Sequence, residues 1–399
     1  MKFIIYLIIT LSLLFSSLQA KEKFLILAEG NTWLPMMPKN LIENHKKIKE
    51  LPFSGFVMVG NTYTHKVMKP NTKLNYDKVW NEVKGLKNLY KNKHNFFKVN
   101  IHFPADYWDK EAWEQVKNNF VILAKVAKDL NFEGIAFDDE VYRDIDRQMI
   151  NFKFPSKNEL NKTSTPWERE GSEENPAFDE HAYRNPKYTF KEHYDKLSSL
   201  FKEIMQAMVK VNPKLTTLVY HGPALSHENS NRDNLLIVNL GLPRAHELLG
   251  SIFTGLKQGL SKDASLHDMG ESYKYRRDTH FKNSYQWRKY NIAKDKYNND
   301  LNSTYQWVVP KEDRSSWSKE VDVGFMVFNK GQKSNYREFD TRKKSSVKDI
   351  KETLKKALKY SDKYVIYYCQ EQDWLLPNKK YPLKKEWMNM MKEVYKNKE

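Results

Sequence analysis

Two acids, Asp138 and Glu140, close the segment Phe132-Glu133-Gly134-Ile135-Ala136-Phe137-Asp138-Asp139-Glu140-Val141-Tyr142. If Gly134–Phe137 is a strand, side chains alternate between its faces, so Ala136, Asp138 and Glu140 share one face and Ile135 and Phe137 the other. Two carboxyls held this close repel when both are ionised, which favours one of them keeping its proton. A neutral carboxyl beside an ionised one is equipped to protonate a glycosidic oxygen. The bland alternative is an acidic turn in solvent. The apolar strand in front of the acids weighs against it.

A second carboxylate would have to come from elsewhere in the chain. The segment Tyr364-Val365-Ile366-Tyr367-Tyr368-Cys369-Gln370-Glu371-Gln372-Asp373-Trp374 offers Glu371, with the same facing as Tyr367 and Cys369, as nucleophile or base opposite Glu140. Its alternative role is a salt bridge to a loop arginine. Trp374 suits stacking on a sugar ring, and equally suits ordinary core packing. Polar and aromatic groups follow other apolar runs: Glu29, Asn31, Trp33, Asn61, Tyr63, Asn100, His102, Tyr142, His221, His267, Asp268, Glu271 and Asn329. Of these, Trp33, Asn61, Tyr63, His102, Tyr142, His221, Asp268, Glu271, Asn329 and Trp374 form the expected substrate-binding ring, because such groups hydrogen-bond sugar hydroxyls.

Other chemistries find less support. His102, His221, His267, Asp138 and Asp268 raise a metal-dependent hydrolase or deacetylase, yet no H-x-H or H-E-x-x-H spacing backs it, and no metal site is assigned. No G-x-S-x-G elbow is present. Cys369 is the one cysteine, so disulfides and multi-thiolate metal sites are excluded. It reads as a small buried hydrophobe.

The elements that must hold these groups are short apolar runs alternating with amphipathic ones. Strands are expected at Phe24–Ala28, Gly55–Val59, Phe97–Phe103, Gly134–Phe137, Leu215–Tyr220, Ala264–Met269, Val321–Phe328 and Tyr364–Cys369, with Leu235–Leu240 competing for the sixth place. Between them Val116, Phe120, Leu123, Ala127 and Leu130 recur at helical spacing, as do Tyr194, Leu197, Phe201, Ile204, Met208 and Val211. Ser346 and Asp349 read as a capping box before Val347, Ile350, Leu354 and Ala357. Near-continuous apolar strands alternating with helices imply a parallel sheet covered by helices, and eight units favour a single (β/α)8 TIM-type barrel. The first strand lacks a glycine-rich phosphate loop, and no cofactor is expected. Two polar insertions, Val141–Thr189 after strand four and Ser272–Lys319 after strand six, should form long loops walling the mouth.

Gly134-Ile135-x-x-Asp138-x-Glu140 resembles the D-x-D-x-E strand-four signature of chitinase-type, family eighteen, glycoside hydrolases. The resemblance implies Glu140 as the general acid and Asp138 as its partner. Ala136 stands where that family has its first Asp, and Leu266-His267-Asp268-Met269-Gly270-Glu271 replaces its Met-x-Tyr-Asp, so the substrate-assisted step is not implied. Leu51-Pro52-Phe53-Ser54-Gly55, Asp138-x-Glu140-x-Tyr142 and Tyr364-Val365 with Glu371 and Trp374 are also similar to a group of exported bacterial barrel proteins. Those are grouped with glycoside hydrolases but have no firm substrates.

The ends and the charge complete the reading. Met1-Lys2, an apolar run from Phe3 to Leu14, then Ser16-Ser17-Leu18-Gln19-Ala20 before Lys21-Glu22-Lys23 describe a secretory signal peptide over 1–20. Residues 21–399 should then form one catalytic barrel, exported to the periplasm or outside the cell, with no membrane span and expected as a monomer. The 399 residues carry 67 Lys+Arg against 50 Asp+Glu, a formal charge of +17. The lysines are scattered through every segment, which describes a solvated surface more than a patch. The expected partner is a carbohydrate, possibly anionic by this charge, and no nucleic acid. A barrel that only binds anionic glycan without cleaving it is the alternative.

Overall fold

Apolar runs of four to six residues rich in Val, Ile, Phe and Tyr have nowhere to bury both faces except between a barrel interior and a helical layer. The computed structural model describes residues 22–29, 34–91, 93–101, 107–139, 190–223, 249–270, 272–273, 275–294, 309–329, 345–369, 374–376 and 382–396. Its strands are β1 Phe24–Glu29, β2 Gly55–Met58, β3 Phe96–Asn100, β4 Gly134–Asp138, β5 Thr216–Val219, β6 Ser265–Asp268, β7 Val321–Val323, β8 Phe325–Phe328 and β9 Tyr364–Cys369. Every pairing is parallel, in the order β7-β6-β5-β4-β3-β2-β1-β9-β8.

Nine strands therefore stand where eight were expected, and Gly324 is the reason. It divides the run Val321–Phe328, so that β7 pairs with β6 while β8 pairs with β9. The two edges of the sheet are thus one residue apart in the chain, and the barrel is nearly closed. The Gly324 amide donates to the Asp268 carbonyl at 2.8 Å, but its own carbonyl accepts from Arg288 Nη2 at 2.7 Å instead of from a strand. A Cβ at this position would lie 2.5 Å from Met269 Sδ and 2.7 Å from the Tyr364 carbonyl oxygen, so only glycine fits.

Two cores result. Phe24, Ile26, Val57, Phe96, Ala136, Leu218, Met326 and Ile366 fill the barrel, while Leu25, Leu27, Phe97, Val99, Ile135, Phe137, Val219 and Tyr367 pack outward. The facing expected for β4 holds. Outward residues meet helices Lys110–Leu130 and Phe190–Val211, which carry the two expected apolar stripes. Asp109 caps the first by accepting from the Ala112 amide, and Asn131 ends it in the left-handed region. The Ser346–Asp349 capping box opens the helix Val347–Tyr360, as expected.

The sixth strand lies at Ser265–Asp268, within the first of its two candidate runs; Leu235–Leu240 lies outside the described residues. The expected third strand reaches only Asn100, and 102–106 also lie outside. The insertion after strand six is not simply a loop. It holds the helix Asp278–Gln286, continued by a π-helical turn Trp287–Asn291, and this unit packs on the outside of the barrel. Phe281 meets Phe325 edge to face at 5.0 Å, and Arg288 and Lys289 are buried in ion pairs. Its buried face is largely polar and cationic, which hid it from a search for apolar periodicity. The first insertion, from Val141 to Thr189, lies outside the described residues.

Candidate functional site

Inward positions along β3 are Phe96, Lys98 and Asn100, and along β4 they are Ala136 and Asp138, in register Lys98↔Ala136 and Asn100↔Asp138. A lysine in this row has no water to its sides and must find an anion. It does: Lys98 Nζ is 2.8 Å from Asp138 Oδ2, with the carboxylate side chain 2% exposed and the lysine 14%. Asn100 Nδ2 donates to the same oxygen at 3.4 Å. The Lys98 ammonium also lies over the Tyr220 ring, 5.6 Å from its centroid. Asp138 thus sits buried at the carboxyl end of β4, facing into the barrel, where barrel enzymes carry their catalytic groups.

This changes the electrostatics expected from sequence. Asp138 does not confront the next inward position as an uncompensated anion, because Lys98 supplies its counter-charge. Glu140 itself lies outside the described residues, as do Trp33, His102, Tyr142, Glu271 and Glu371. For Glu371 the supporting argument fails: Tyr367 and Cys369, whose facing it was to share, pack in the outer core, and the inward residues of β9 are Tyr364 and Ile366.

Several other expected ligand groups are occupied structurally. Trp374 is fully buried, edge to face with Phe53 at 5.0 Å and with Tyr367 at 6.1 Å, which is the core-packing alternative and not a sugar platform. Tyr63 is likewise buried against Phe97, its hydroxyl donating to the Met58 carbonyl, and burial pushes its phenol well above the ordinary range. Asn61 is exposed, its main-chain N–H donating to Glu82 Oε1 on the neighbouring helix. Asp268 shares the outward facing of Leu266 and forms a buried ion pair with Arg288 at 3.1 Å. Asn329 is buried, with Nδ2 3.2 Å from the sulfur of Cys369.

His221 belongs to a pair that sequence reasoning missed. Asp139 Oδ1 accepts from the His221 main-chain amide at 2.9 Å and lies 3.0 Å from Nδ1, tying the end of β4 to the end of β5. Nothing in the spacing of residues 139 and 221 signals this contact. Lys98 was findable, being the one charged residue in the apolar run Phe96–Ile101. His267 points inward, fully buried, at the level of Leu218, and stands edge-on to Tyr364 at 4.9 Å. Burial holds its pKa down at about 4, so it is neutral at neutral pH. His267 and Asp268 therefore project to opposite faces and cannot join one ligand set. Among the described residues no group of three or more His, Cys, Asp or Glu is placed to hold a metal ion, and no helix is long and apolar enough to cross a membrane.

No protein-family model and no curated protein sequence matches the chain. Solved structures that resemble it include a beta-1,4-mannanase from the common sea hare Aplysia kurodai, at TM-score 0.45 and 9% identity over 94% of this chain and 93% of that one. A beta-mannanase from the blue mussel Mytilus edulis matches at 0.43 and 10%, over 93% and 92%. A GH18 chitinase from Pseudoalteromonas aurantia matches at 0.36 and 12%, over 88% and 97%. Likenesses this loose carry no argument about activity, and the fold stands on the strand order itself.

Proposed function

We propose that this chain is an exported glycoside hydrolase, cleaving a glycan by carboxylate general acid/base catalysis at the carboxyl end of β4. The observation that carries the reading is the placement of Asp138: buried, inward-facing and ion-paired inside the mouth of a parallel barrel. Glu140, two residues further along the sequence, takes the role of general acid in this reading, with Asp138 as its partner. No second carboxylate is assigned, since the facing argument for Glu371 no longer holds. The apolar leader at residues 1–20 supports export.

The test is reducing-end release by the purified protein on a panel of neutral, amino-sugar and uronic oligosaccharides, compared with Asp138→Asn and Glu140→Gln. General acid–base catalysis contributes about 10²–10⁴-fold, and each substitution should lower kcat by that order. Activity equal in all three proteins would remove both acids from the mechanism. Binding of an anionic glycan with no new reducing ends after long incubation would leave a lectin-like barrel in place of an enzyme.

A further inference from the structure

We propose a second binding site on this chain, a polar cleft at the amino-terminal end of the barrel that takes an acidic sugar, with several hydroxyls and one anionic group. The cleft has a volume of about 770 Å³. It lies outside the sheet, lined from the helices Phe190–Val211 and Leu249–Gln258, the turn Lys311–Asp313 and the helix Trp317–Glu320, beside the start of β6. Ser265, on its wall, is in register with Thr216 and through it with Gly134, the first residue of β4. Asp138 lies four residues further along that strand, about 13 Å at the rise of a strand. The cleft is therefore separate from the mouth of the barrel and does not depend on the hydrolase reading.

Its back wall is built around Lys257, which is buried and must meet anions. Nζ lies 2.9 Å from Asp313 Oδ1 and 2.6 Å from Glu320 Oε2, and donates to Ser316 Oγ at 2.9 Å. Gln258 Nε2 donates to the other Asp313 oxygen at 2.8 Å, which fixes that carboxylate in place. Asp322, on the same wall, pairs with Lys289 at 3.1 Å. Two carboxylates around the Lys257 ammonium leave acceptor capacity to spare, and a carboxylate can only accept. Sugar hydroxyls are donors of the right kind for such a wall.

The rim has the opposite sign. Lys202, Lys262 and Lys319 also line the cleft, and among the described residues none of their ammonium groups has a hydrogen bond or ion pair. Glu312 is the one lining carboxylate in the same state. Lys262 and Lys319 are exposed and Lys202 is half-buried, so all three can turn toward a ligand. Three unpaired ammoniums against one unpaired carboxylate favour an anion at the rim, while the wall behind it favours hydroxyls. Leu260 and Ala264 are the apolar members of the lining and no aromatic ring belongs to it. A nucleobase would lack a stacking partner there, and an acyl chain would lack apolar surface.

The experiment is isothermal titration calorimetry of the purified protein at low salt with glucuronate, glucose 6-phosphate, glucose and inorganic phosphate. An acidic sugar should bind more tightly than glucose or phosphate alone, and the tighter of the two shows whether the anionic group is a carboxylate or a phosphate. Acidic sugars that bind no better than phosphate would overturn the proposal. The triple variant Lys202→Gln, Lys262→Gln, Lys319→Gln should weaken binding about tenfold. The triple variant Lys46→Gln, Lys47→Gln, Lys49→Gln removes the same charge from exposed positions on the helix His45–Lys49 and should leave binding unchanged. Equal weakening in both would assign the attraction to net charge and not to the cleft. Loss of binding in Asp138→Asn with retention in the rim variant would place the sugar in the barrel mouth, and would likewise overturn the proposal. Circular dichroism checks the fold, and Lys262→Gln with Lys319→Gln repeats the comparison should the triple variant not fold. The readout is binding, so a wild type that cleaves no glycan removes the hydrolase reading and leaves this test intact.

Discussion

His267 shows how a single side chain in the barrel carries a pH signature independent of any activity. It is fully buried, neither ring nitrogen has a hydrogen-bond partner, and the nearest carboxylate, Asp322, is 3.9 Å away. Its pKa is held down at about 4, against 6.5 in an open environment, because burial disfavours the imidazolium. On acidification the unfolded chain therefore takes up this proton first, so stability falls as the pH drops from about 6.5 to about 4 and levels off below. The loss should amount to about 3 kcal/mol. Urea midpoints of wild type and His267→Leu at pH 7 and pH 4 check this: the wild type should lose that much more than the variant. Asp138 makes a second residue-scale case. Asp138→Ala removes the carboxylate 2.8 Å from a lysine that is largely out of water, and unfolding free energy should drop by about 3 kcal/mol, with Asp138→Asn less affected. Equal denaturation midpoints for Asp138→Ala and wild type would mean that the pair contributes nothing.

At the level of elements, the split strand is the feature on which barrel closure turns. Gly324 passes the chain from pairing with β6 to pairing with β9, and a methyl there would press on a backbone carbonyl that cannot give way. Gly324→Ala should lower stability by about 2–3 kcal/mol, measured by urea denaturation. Ser346→Ala, which removes the capping box of Val347–Tyr360, touches only one exposed helix end and should cost about 1 kcal/mol. If the two substitutions proved equally mild, closure through Gly324 would not be a strained or singular feature. The elements differ in how far they could be read from sequence. Helices with apolar stripes, such as Lys110–Leu130, announce themselves by spacing. The helix Asp278–Gln286 and its π turn do not, because Arg288 and Lys289 bury charge against Asp268, Asp322 and Asp362, partners far away in the chain.

For the whole molecule, the formal charge of +17 bears on association and solubility more than on how the chain folds. If the leader directs export, N-terminal sequencing of protein recovered from the periplasm or medium of an expressing bacterium should begin at Lys21. Retention of residues 1–20 would point to an uncleaved anchor. The barrel itself distributes roles by layer. The outer core holds Trp374 and Tyr367, the inner core is mostly apolar, and the described charged pair nearest the carboxyl end of β4 is Lys98–Asp138.

Alternation within a strand is a local property, so the facing of Asp138 could be deduced from Gly134-Ile135-Ala136-Phe137, and the parallel barrel class from the apolar runs alternating with helical stripes along the chain. Which groups would meet across strands could not. Trp374 against Phe53, Asp268 against Arg288, Asp139 against His221 and above all Lys98 against Asp138 join residues 20 to 321 positions apart. Such pairings depend on register and on which face each strand end turns, and both are settled only when the sheet assembles. The ion pair that Asp138 makes is therefore a tertiary property, while its facing within the strand is a property of the sequence.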